Sequence, residues 1–303
     1  MQYETAQRPG RFPLVALLQG MRPKQWTKNL LVFAALIFAQ RFDDVSAVAT
    51  VTLTFALFCL ISGSIYLIND IADREEDRKH PTKRHRPIAS GALPVSVAAT
   101  TAVILAPGGV IGCYLINIPT GHVACGYLIL TLAYTFLLKQ VVIIDVLAVA
   151  IGYVLRAAAG ATVIEVAISP WLLICTILLA LFLVLSKRRQ ELVGLEEGAV
   201  AHRPILGEYS SYLLDQMIAV VTASTVMSYA LYTISERTVQ EVGSNRLMYT
   251  IPFVLYGIFR YLYLVHQKNR GAAPDQVLLT DLPLLINVIL YGIAVVAILQ
   301  WSG

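Results

Sequence analysis

The sequence predicts an all-α, polytopic membrane protein of nine transmembrane helices, and two observations support this prediction. Of the 303 residues, 57% are hydrophobic and only 14% are charged, and the mean hydropathy is +0.69. Soluble domains carry about a quarter charged residues and just under half apolar ones. The apolar residues also fall in runs close to the ~20 residues that a membrane-spanning helix needs. Together these features exclude a soluble globular enzyme, a disordered chain and a disulfide-rich scaffold.

Nine apolar segments follow one another along the chain. The first begins with polar residues, and the third contains Pro107-Gly108-Gly109, which predicts a kink or a break. Because the sequence shows no internal repeat and no separate soluble region, we expect residues 1–303 to form a single integral-membrane domain, in which 1–21 is a cytoplasmic lead-in or interfacial helix. The segments lie near residues 22–40, 47–68, 95–116, 122–138, 141–162, 170–187, 212–234, 248–267 and 278–300.

The positions of lysine and arginine predict how the chain is oriented in the membrane. Eighteen of the 23 Lys and Arg residues fall at the segment ends that share a side with the N-terminus. Arg41, Arg237 and Arg246 fall at the opposite ends, and Arg156 and Arg260 fall within segments. We therefore expect a plasma (inner) membrane protein with its N-terminus in the cytoplasm and its C-terminus on the far side.

The four cysteines lie inside or beside apolar runs, at Cys59, Cys113, Cys125 and Cys175. They show no CxxC spacing. This pattern favours buried small apolar side chains over a disulfide or a zinc site.

An acidic sequence, YLINDIADREED, follows the second apolar segment. Its Asn69, Asp73 and Asp77 are spaced by four, so a helix places them in one row, with Asp70 on the same side. We call these four residues the acidic ridge. Carboxylates this close repel one another unless a cation lies between them, and an oxygen-rich face with open positions suits Mg²⁺. A solvated charged loop is the alternative, but ionisable groups at the end of a membrane helix favour the metal site.

Two cationic sequences lie on the same predicted side as the acidic ridge. HPTKRHRPIASG carries Lys83 and Arg86, which could neutralise phosphate oxygens that a metal does not reach. Positive-inside topology alone would explain these cations, though not the prolines between them. RPKQWTKN carries Lys24 and Lys28 beside a tryptophan. For this second sequence, anchoring at the membrane interface is an equally good explanation.

A third cationic sequence, KRRQE at residues 187–191, follows the sixth apolar segment. Lys187 and Glu191 are one helical turn apart, so an ion pair within the helix is a serious alternative to ligand binding. Asp145, Arg156 and Asp215 fall within apolar segments, where a charge costs about 2.5–3.5 kcal/mol on insertion scales. We therefore expect each of these three to have a partner or to face a wet cavity.

The pattern Asn69-Asp70-x-x-Asp73-x-x-x-Asp77 resembles the first aspartate-rich motif of the UbiA superfamily of intramembrane prenyltransferases. The resemblance covers essentially the whole chain, because nine helices with catalytic loops on the cytoplasmic side are typical of that superfamily. It implies that Asn69, Asp73 and Asp77 bind Mg²⁺, with Asp70 in support, and that the metal holds a diphosphate. The superfamily carries a second aspartate-rich motif after its sixth helix. Here the corresponding sequence is KRRQE, with no DxxxD nearby.

This replacement, together with RPKQWTKN and HPTKRHRPIASG, resembles one branch of the superfamily, the decaprenyl-phosphate phosphoribosyltransferases. The branch implies transfer of 5-phosphoribose from phosphoribosyl diphosphate (PRPP) to a polyprenyl phosphate, for cell-wall arabinan synthesis. Two substrates with three phosphate-bearing groups need a strongly cationic site, which this sequence supplies. The candidate PRPP-binding residues are Lys24, Lys28, Lys83, Arg86, Lys187, Arg188 and Glu191, and the candidate acceptor-binding residues are Lys139, Tyr134 and Arg156.

Two other functions remain open on the sequence alone. A conventional UbiA-type enzyme would join a prenyl diphosphate to an aromatic acceptor, and the missing second aspartate motif argues against it. A non-catalytic transporter of lipid phosphates would place ionisable residues along a path across the membrane, often within inverted repeats. The expected cofactor and partners are Mg²⁺, PRPP, polyprenyl (decaprenyl) phosphate and the lipid bilayer. A homo-oligomer is left open, and no nucleic acid is expected.

Overall fold

The computed structural model describes residues 13–39, 41–167, 170–193, 204–268, 277 and 280–301, and every regular element in these ranges is helical. The α-helices are α1 (Pro13–Gly20), α2 (Ala34–Phe38), α3 (Val45–Ala72), α4 (Arg74–Lys79), α5 (Val95–Ile116), α6 (Ile118–Phe136), α7 (Ile144–Val163), α8 (Pro170–Val193), α9 (Ser211–Ile234), α10 (Glu236–Val242), α11 (Ile251–Lys268) and α12 (Leu282–Trp301). Short 3₁₀ helices cover Pro23–Phe33, Lys83–His85, Leu138–Gln140, Pro204–Glu208 and Arg246–Thr250.

The all-helical class is confirmed for the part of the chain that the structure describes. Six helical stretches there are long and apolar enough to cross a membrane, namely α3, α5, α7, α9, α11 with the 3₁₀ turn before it, and α12. Two other predicted segments form α6 and α8. The segment predicted near 22–40 is a 3₁₀ helix followed by the short α2, with a polar start, rather than one long α-helix.

The third predicted segment does not break at its Pro-Gly-Gly sequence, because α5 runs through Pro107 without interruption. A proline removes one helical hydrogen bond, and transmembrane helices tolerate this when neighbouring groups compensate. Gly109 serves packing instead. A Cβ added there would lie 2.6 Å from Ile61 and 3.2 Å from the carbonyl oxygen of Leu57, both on α3. The glycine therefore lets α5 approach α3 closely.

Residue contacts divide the chain into two compact units. The first unit comprises Met1–Leu30 and Phe55–Leu128, and the second comprises Leu31–Thr54 and Ile129–Gly303. Each has an apolar core of its own. In the first unit it includes Met21, Leu67, Ile88, Leu93, Ala98 and Ala102. In the second unit it includes Val146, Phe182, Leu185, Leu214, Ile258 and Leu264.

Helix α7 packs through small side chains, and Gly160 makes the closest approach. A Cβ at Gly160 would lie 1.9 Å from the carbonyl oxygen of Val32, which belongs to the 3₁₀ helix Pro23–Phe33. Small residues at membrane helix interfaces allow backbones to approach in this way. The neighbouring atom is part of the backbone, so it cannot rotate out of the way as a side chain would.

We expect Gly160→Ala to destabilise the protein, because the added methyl group overlaps a backbone atom. Overpacking a tight interface costs about 1–3 kcal/mol, which a thermal unfolding curve in detergent would detect. Gly108→Ala in α5 is the matched control, since a Cβ there meets nothing within 4 Å. An equal melting temperature for wild type and Gly160→Ala would contradict the close contact with Val32.

Candidate functional site

The acidic ridge lies where α3 passes into α4, in the first unit. The amide of Asp73 donates to the carbonyl of Asn69 at 2.9 Å, and the amide of Asp77 donates to the carbonyl of Asp73 at 2.8 Å. Helical spacing therefore continues across the junction, even though α3 ends at Ala72 and α4 begins at Arg74. The three residues consequently follow one another at one-turn intervals. Asp70 and Asp77 are buried, and Asn69 and Asp73 are half-buried.

Two arginines neutralise the buried carboxylates of the ridge. Arg86 donates from Nη1 to Asp77 Oδ2 at 2.6 Å and to Asp70 Oδ1 at 3.1 Å. Arg22 donates from Nη2 to the same Asp70 Oδ1. Asp70 is only 1% exposed, and its second oxygen, Oδ2, is buried without a hydrogen-bond partner. The structure thus brings Arg86 to the ridge and leaves one carboxylate oxygen there unsatisfied.

The sequence did not single out Arg22 as a site residue, although the RPKQWTKN sequence begins with it. Its backbone has φ = 53°, in the left-handed region that a residue before proline rarely adopts. Its guanidinium carbon lies 5.0 Å from the centre of the Tyr66 ring. Both the contact with Asp70 and the unusual backbone depend on the fold. The sequence alone showed Arg22 only as a basic residue at the start of the first apolar segment.

The ridge has the donor set that a hard divalent cation prefers. It offers carboxylate and amide oxygens, and the buried Asp70 Oδ2 has no partner. In the ranges that the structure describes, the ridge included, no group of three or more His, Cys, Asp or Glu side chains is arranged to hold a metal ion. A site of this kind matches Mg²⁺, which typically takes one or two carboxylates and completes its shell with water and substrate phosphates.

The KRRQE sequence forms a second charged cluster, in the second unit, at the end of α8. Arg188 is 3% exposed and donates to Asp145 Oδ2 at 3.1 Å, to Glu191 Oε2 at 2.8 Å and to the Tyr134 hydroxyl at 3.3 Å. Lys187 Nζ lies 3.7 Å from Glu191 Oε1. The ion pair within the helix is therefore present, and Glu191 also takes part in a wider network around a buried guanidinium.

Tyr209 completes this network from the chain that precedes α9. Its hydroxyl donates to Asp145 Oδ1 at 2.7 Å and accepts from the amide of Ile143 at 2.7 Å. Burial, together with the hydrogen bond to Asp145, raises the pKa of Tyr209 to about 12. The phenol therefore keeps its proton through the neutral range and holds the Asp145 carboxylate. No pattern in the sequence pointed to Tyr209 as a partner of Asp145.

The other charges within predicted segments also have partners, as expected. Asp215 on α9 pairs with Arg189 on α8. Arg156 is 7% exposed, donates to the carbonyl of Gly152 one turn earlier at 2.9 Å, and lies over the Tyr153 ring. These contacts account for the presence of charged groups in apolar helices.

The candidate ligand residues divide between the two units. Lys24, Lys28, Lys83 and Arg86 belong to the first unit, with the acidic ridge. Lys28 and Lys83 are half-buried, and Lys24 is exposed. The second unit holds Tyr134, Lys139, Arg156, Lys187, Arg188 and Glu191. Within it, the structure brings together Tyr134, Arg188, Glu191 and Lys187, whereas Lys139 lies in the 3₁₀ turn after α6.

The chain is similar in sequence to decaprenyl-phosphate phosphoribosyltransferases and in fold to a solved UbiA homolog. The decaprenyl-phosphate phosphoribosyltransferase of Mycobacterium tuberculosis is 33% identical over 285 residues, which cover 93% of each chain. That of Corynebacterium glutamicum is 35% identical over 277 residues, covering 88% of this chain and 81% of the relative. The solved structure of a UbiA homolog from Archaeoglobus fulgidus, bound to GPP and Mg²⁺, matches with a TM-score of 0.72 at 17% identity, over 94% of this chain and 99% of that one.

At 17% identity the solved structure shows a shared fold and nothing finer. The two relatives match this chain over most of their own length, at identities above 30%. Residues 30–280 also match the model of the UbiA prenyltransferase family. The chain therefore belongs to the UbiA prenyltransferase family.

Proposed function

We propose that this chain transfers 5-phosphoribose from PRPP to decaprenyl phosphate, forming decaprenylphosphoryl-5-phosphoribose and diphosphate. The product would serve as a precursor for cell-wall arabinan. The observation that carries the proposal is the similarity to two decaprenyl-phosphate phosphoribosyltransferases over most of the chain. The cationic KRRQE sequence supports it, because it stands where a second acidic motif would serve a prenyl diphosphate.

In this proposal Asn69, Asp73 and Asp77 hold Mg²⁺, with Asp70 in support. The unpartnered oxygen of Asp70 and the donor chemistry of the ridge favour this role. The related fold from Archaeoglobus fulgidus was solved with Mg²⁺ bound. When bound, Mg²⁺ would offset the negative charge that develops on the departing diphosphate.

Basic side chains of this chain bind the phosphates that the metal does not reach. Lys24, Lys28, Lys83 and Arg86 accompany the ridge in the first unit and are assigned to PRPP. The resemblance to the phosphoribosyltransferase branch also assigns Lys187, Arg188 and Glu191 to PRPP. Glu191 carries a negative charge, so its assigned partner is a ribose hydroxyl rather than a phosphate.

The acceptor attacks without a catalytic base from the protein. Its phosphate is already anionic near neutral pH, so an oxygen of that phosphate forms a bond to C1 of the ribose. The bond between C1 and the diphosphate oxygen breaks, and its electron pair leaves with the diphosphate. Attack opposite the leaving group predicts inversion at C1. Lys139, Tyr134 and Arg156 are assigned to the acceptor, and apolar helix faces to its polyprenyl tail.

The membrane arrangement belongs to the same proposal. We propose one integral-membrane domain with nine spans in the plasma (inner) membrane, the N-terminus and the active site facing the cytoplasm. The six helical stretches that are long and apolar enough to cross a membrane support the spanning arrangement. The distribution of lysine and arginine supports the orientation.

Purified protein supplied with labelled PRPP and polyprenyl phosphate is expected to move the label into lipid, and EDTA should abolish the transfer. In a parallel reaction with prenyl diphosphate and 4-hydroxybenzoate, we expect no product. Product in the second reaction only would instead indicate a conventional UbiA-type prenyltransferase. A lack of product in both reactions, from folded protein with Mg²⁺, would indicate a non-catalytic role.

A further inference from the structure

Two guanidinium groups cover the two most deeply buried carboxylates of the acidic ridge. Asp70 and Asp77 are 1% and 2% exposed, whereas the side chains of Arg22 and Arg86 are 26% and 25% exposed. The arginines therefore lie on the side of these carboxylates that is nearer to solvent. Arg86 bridges both carboxylates, and Arg22 shares an oxygen of Asp70 with it.

We infer that Arg22 and Arg86 are exchangeable counter-cations, which neutralise the ridge before substrate binds and then pass to phosphate oxygens as a divalent cation takes their place. This inference rests on the proposed function, which brings a metal and a diphosphate to the ridge. It adds Arg22 to the ligand-binding residues. It also predicts that the metal and the diphosphate bind cooperatively.

The cooperativity follows from the cost of each step taken alone. A diphosphate that drew the arginines away would leave two buried carboxylates without counter-charges, and breaking a buried ion pair in this way is strongly unfavourable. A divalent cation that arrived alone would meet two guanidinium groups already bound to its ligands. When both arrive together, each carboxylate and each arginine keeps a partner of opposite charge, so neither cost is incurred.

The chemistry of arginine suits it to both partners. A planar guanidinium binds carboxylates and phosphates with the same fork of donors, so it can pass from one to the other without changing its charge. Arg22 is also held in a backbone conformation with φ = 53°, which persists only where surrounding contacts maintain it. Its contacts with Asp70 and the Tyr66 ring are such restraints, and exchange would remove the first of them.

Binding of two separate probes to the purified full-length protein tests the exchange. Mn²⁺ alone is titrated by the electron paramagnetic resonance of the free ion, and inorganic diphosphate is titrated by calorimetry in EDTA. Arg22→Gln is expected to tighten Mn²⁺ binding and to weaken diphosphate binding, each by at least about fivefold, the lower end of usual couplings between sites. Asp70→Asn is expected to do the reverse, because it removes a carboxylate that supports the metal and releases the arginines.

Arg78→Gln is the matched control, because Arg78 lies on α4 beside the ridge but pairs with Glu75 at 3.0 Å. It should change both affinities less than about twofold. Unchanged or weaker Mn²⁺ binding by Arg22→Gln would overturn the inference, as would equal tightening by Arg78→Gln. If Arg22→Gln does not fold, Asp70→Asn decides alone: weaker diphosphate binding would overturn the inference.

The outcome separates this inference from the proposed function, since neither probe requires phosphoribosyl transfer. Opposite shifts in a protein that fails the transfer assay would uphold the exchange and reject the proposed reaction. Transfer activity without opposite shifts would uphold the reaction and reject the exchange.

Discussion

Asp73→Asn is expected to lower phosphoribosyl transfer by about 100-fold or more, equivalent to at least about 2.7 kcal/mol of transition-state stabilisation. Asp73 lies at the junction of α3 and α4, in the middle of the row that Asn69 and Asp77 continue. The amide keeps the size of the side chain but removes the charge that the proposed function assigns to a divalent cation. We expect the loss to appear in initial rates measured across a Mg²⁺ titration.

Asp73 is a sharper test than Asp77. Asp77 is buried and bound to Arg86 at 2.6 Å, so its replacement would disturb an internal ion pair as well as a proposed metal ligand. Asp73 is half-buried, and asparagine has nearly the same size and shape. Glu76→Gln is the control, because Glu76 is an exposed acid on α4 and its replacement changes the net charge by the same amount as Asp73→Asn. Full transfer by Asp73→Asn at saturating Mg²⁺ would reject the metal assignment.

Local patterns in the sequence were sufficient to predict most of the helices and the row of acidic residues. Asn69, Asp73 and Asp77 follow a spacing of four, and the backbone maintains this spacing even where α3 gives way to α4. Apolar runs of suitable length became α3, α5, α7, α9, α11 and α12 with small shifts at their ends. Such features depend on neighbours within a turn or two, so periodicity reveals them.

Contacts between residues distant in sequence could not be predicted in the same way. Asp145 was expected to have a partner, but nothing in the sequence selected Arg188 and Tyr209, which lie 43 and 64 positions further along. Arg22 reaches Asp70 across 48 positions for the same reason. Helix α5 runs through its Pro-Gly-Gly sequence without a break and uses Gly109 for a close approach to α3, a contact that the local sequence could not reveal. Each of these features is determined by tertiary structure.

The network around Arg188 changes how the KRRQE sequence is understood. The sequence showed a largely cationic segment in place of an acidic motif, with an ion pair between Lys187 and Glu191 as an alternative to ligand binding, and the structure places Arg188 among three protein partners. A guanidinium held in this way orients Glu191 and, through it, Lys187. Asp145 and Tyr209 are therefore positioning residues for this cluster, and its stability depends on them.

Asp145→Ala is expected to be the most destabilising of the charge-removing variants, with a loss of about 3–5 kcal/mol, because it leaves the buried Arg188 short of a counter-charge. Asp145 is fully buried, and Arg188 is 3% exposed. Tyr209 would at the same time lose the acceptor of its hydroxyl. Unfolding of the purified protein in mixed micelles, followed by circular dichroism, would measure the difference.

Asp215→Ala is the comparison variant, because it removes the same charge from an ion pair that is less buried. Asp215 also pairs with an arginine of α8, but the side chains of Arg189 and Asp215 are 15% and 38% exposed, against 4% and 0% for Arg188 and Asp145, so water reaches this pair more readily. Exposed ion pairs contribute about 0–1 kcal/mol, and for this partly exposed pair we expect a loss well below that of Asp145→Ala. If the two variants lost equal stability, burial would not determine the strength of these pairs. A large loss for Asp145→Ala alone would show that α7 and α8 depend on one buried ion pair to hold the cationic cluster in place.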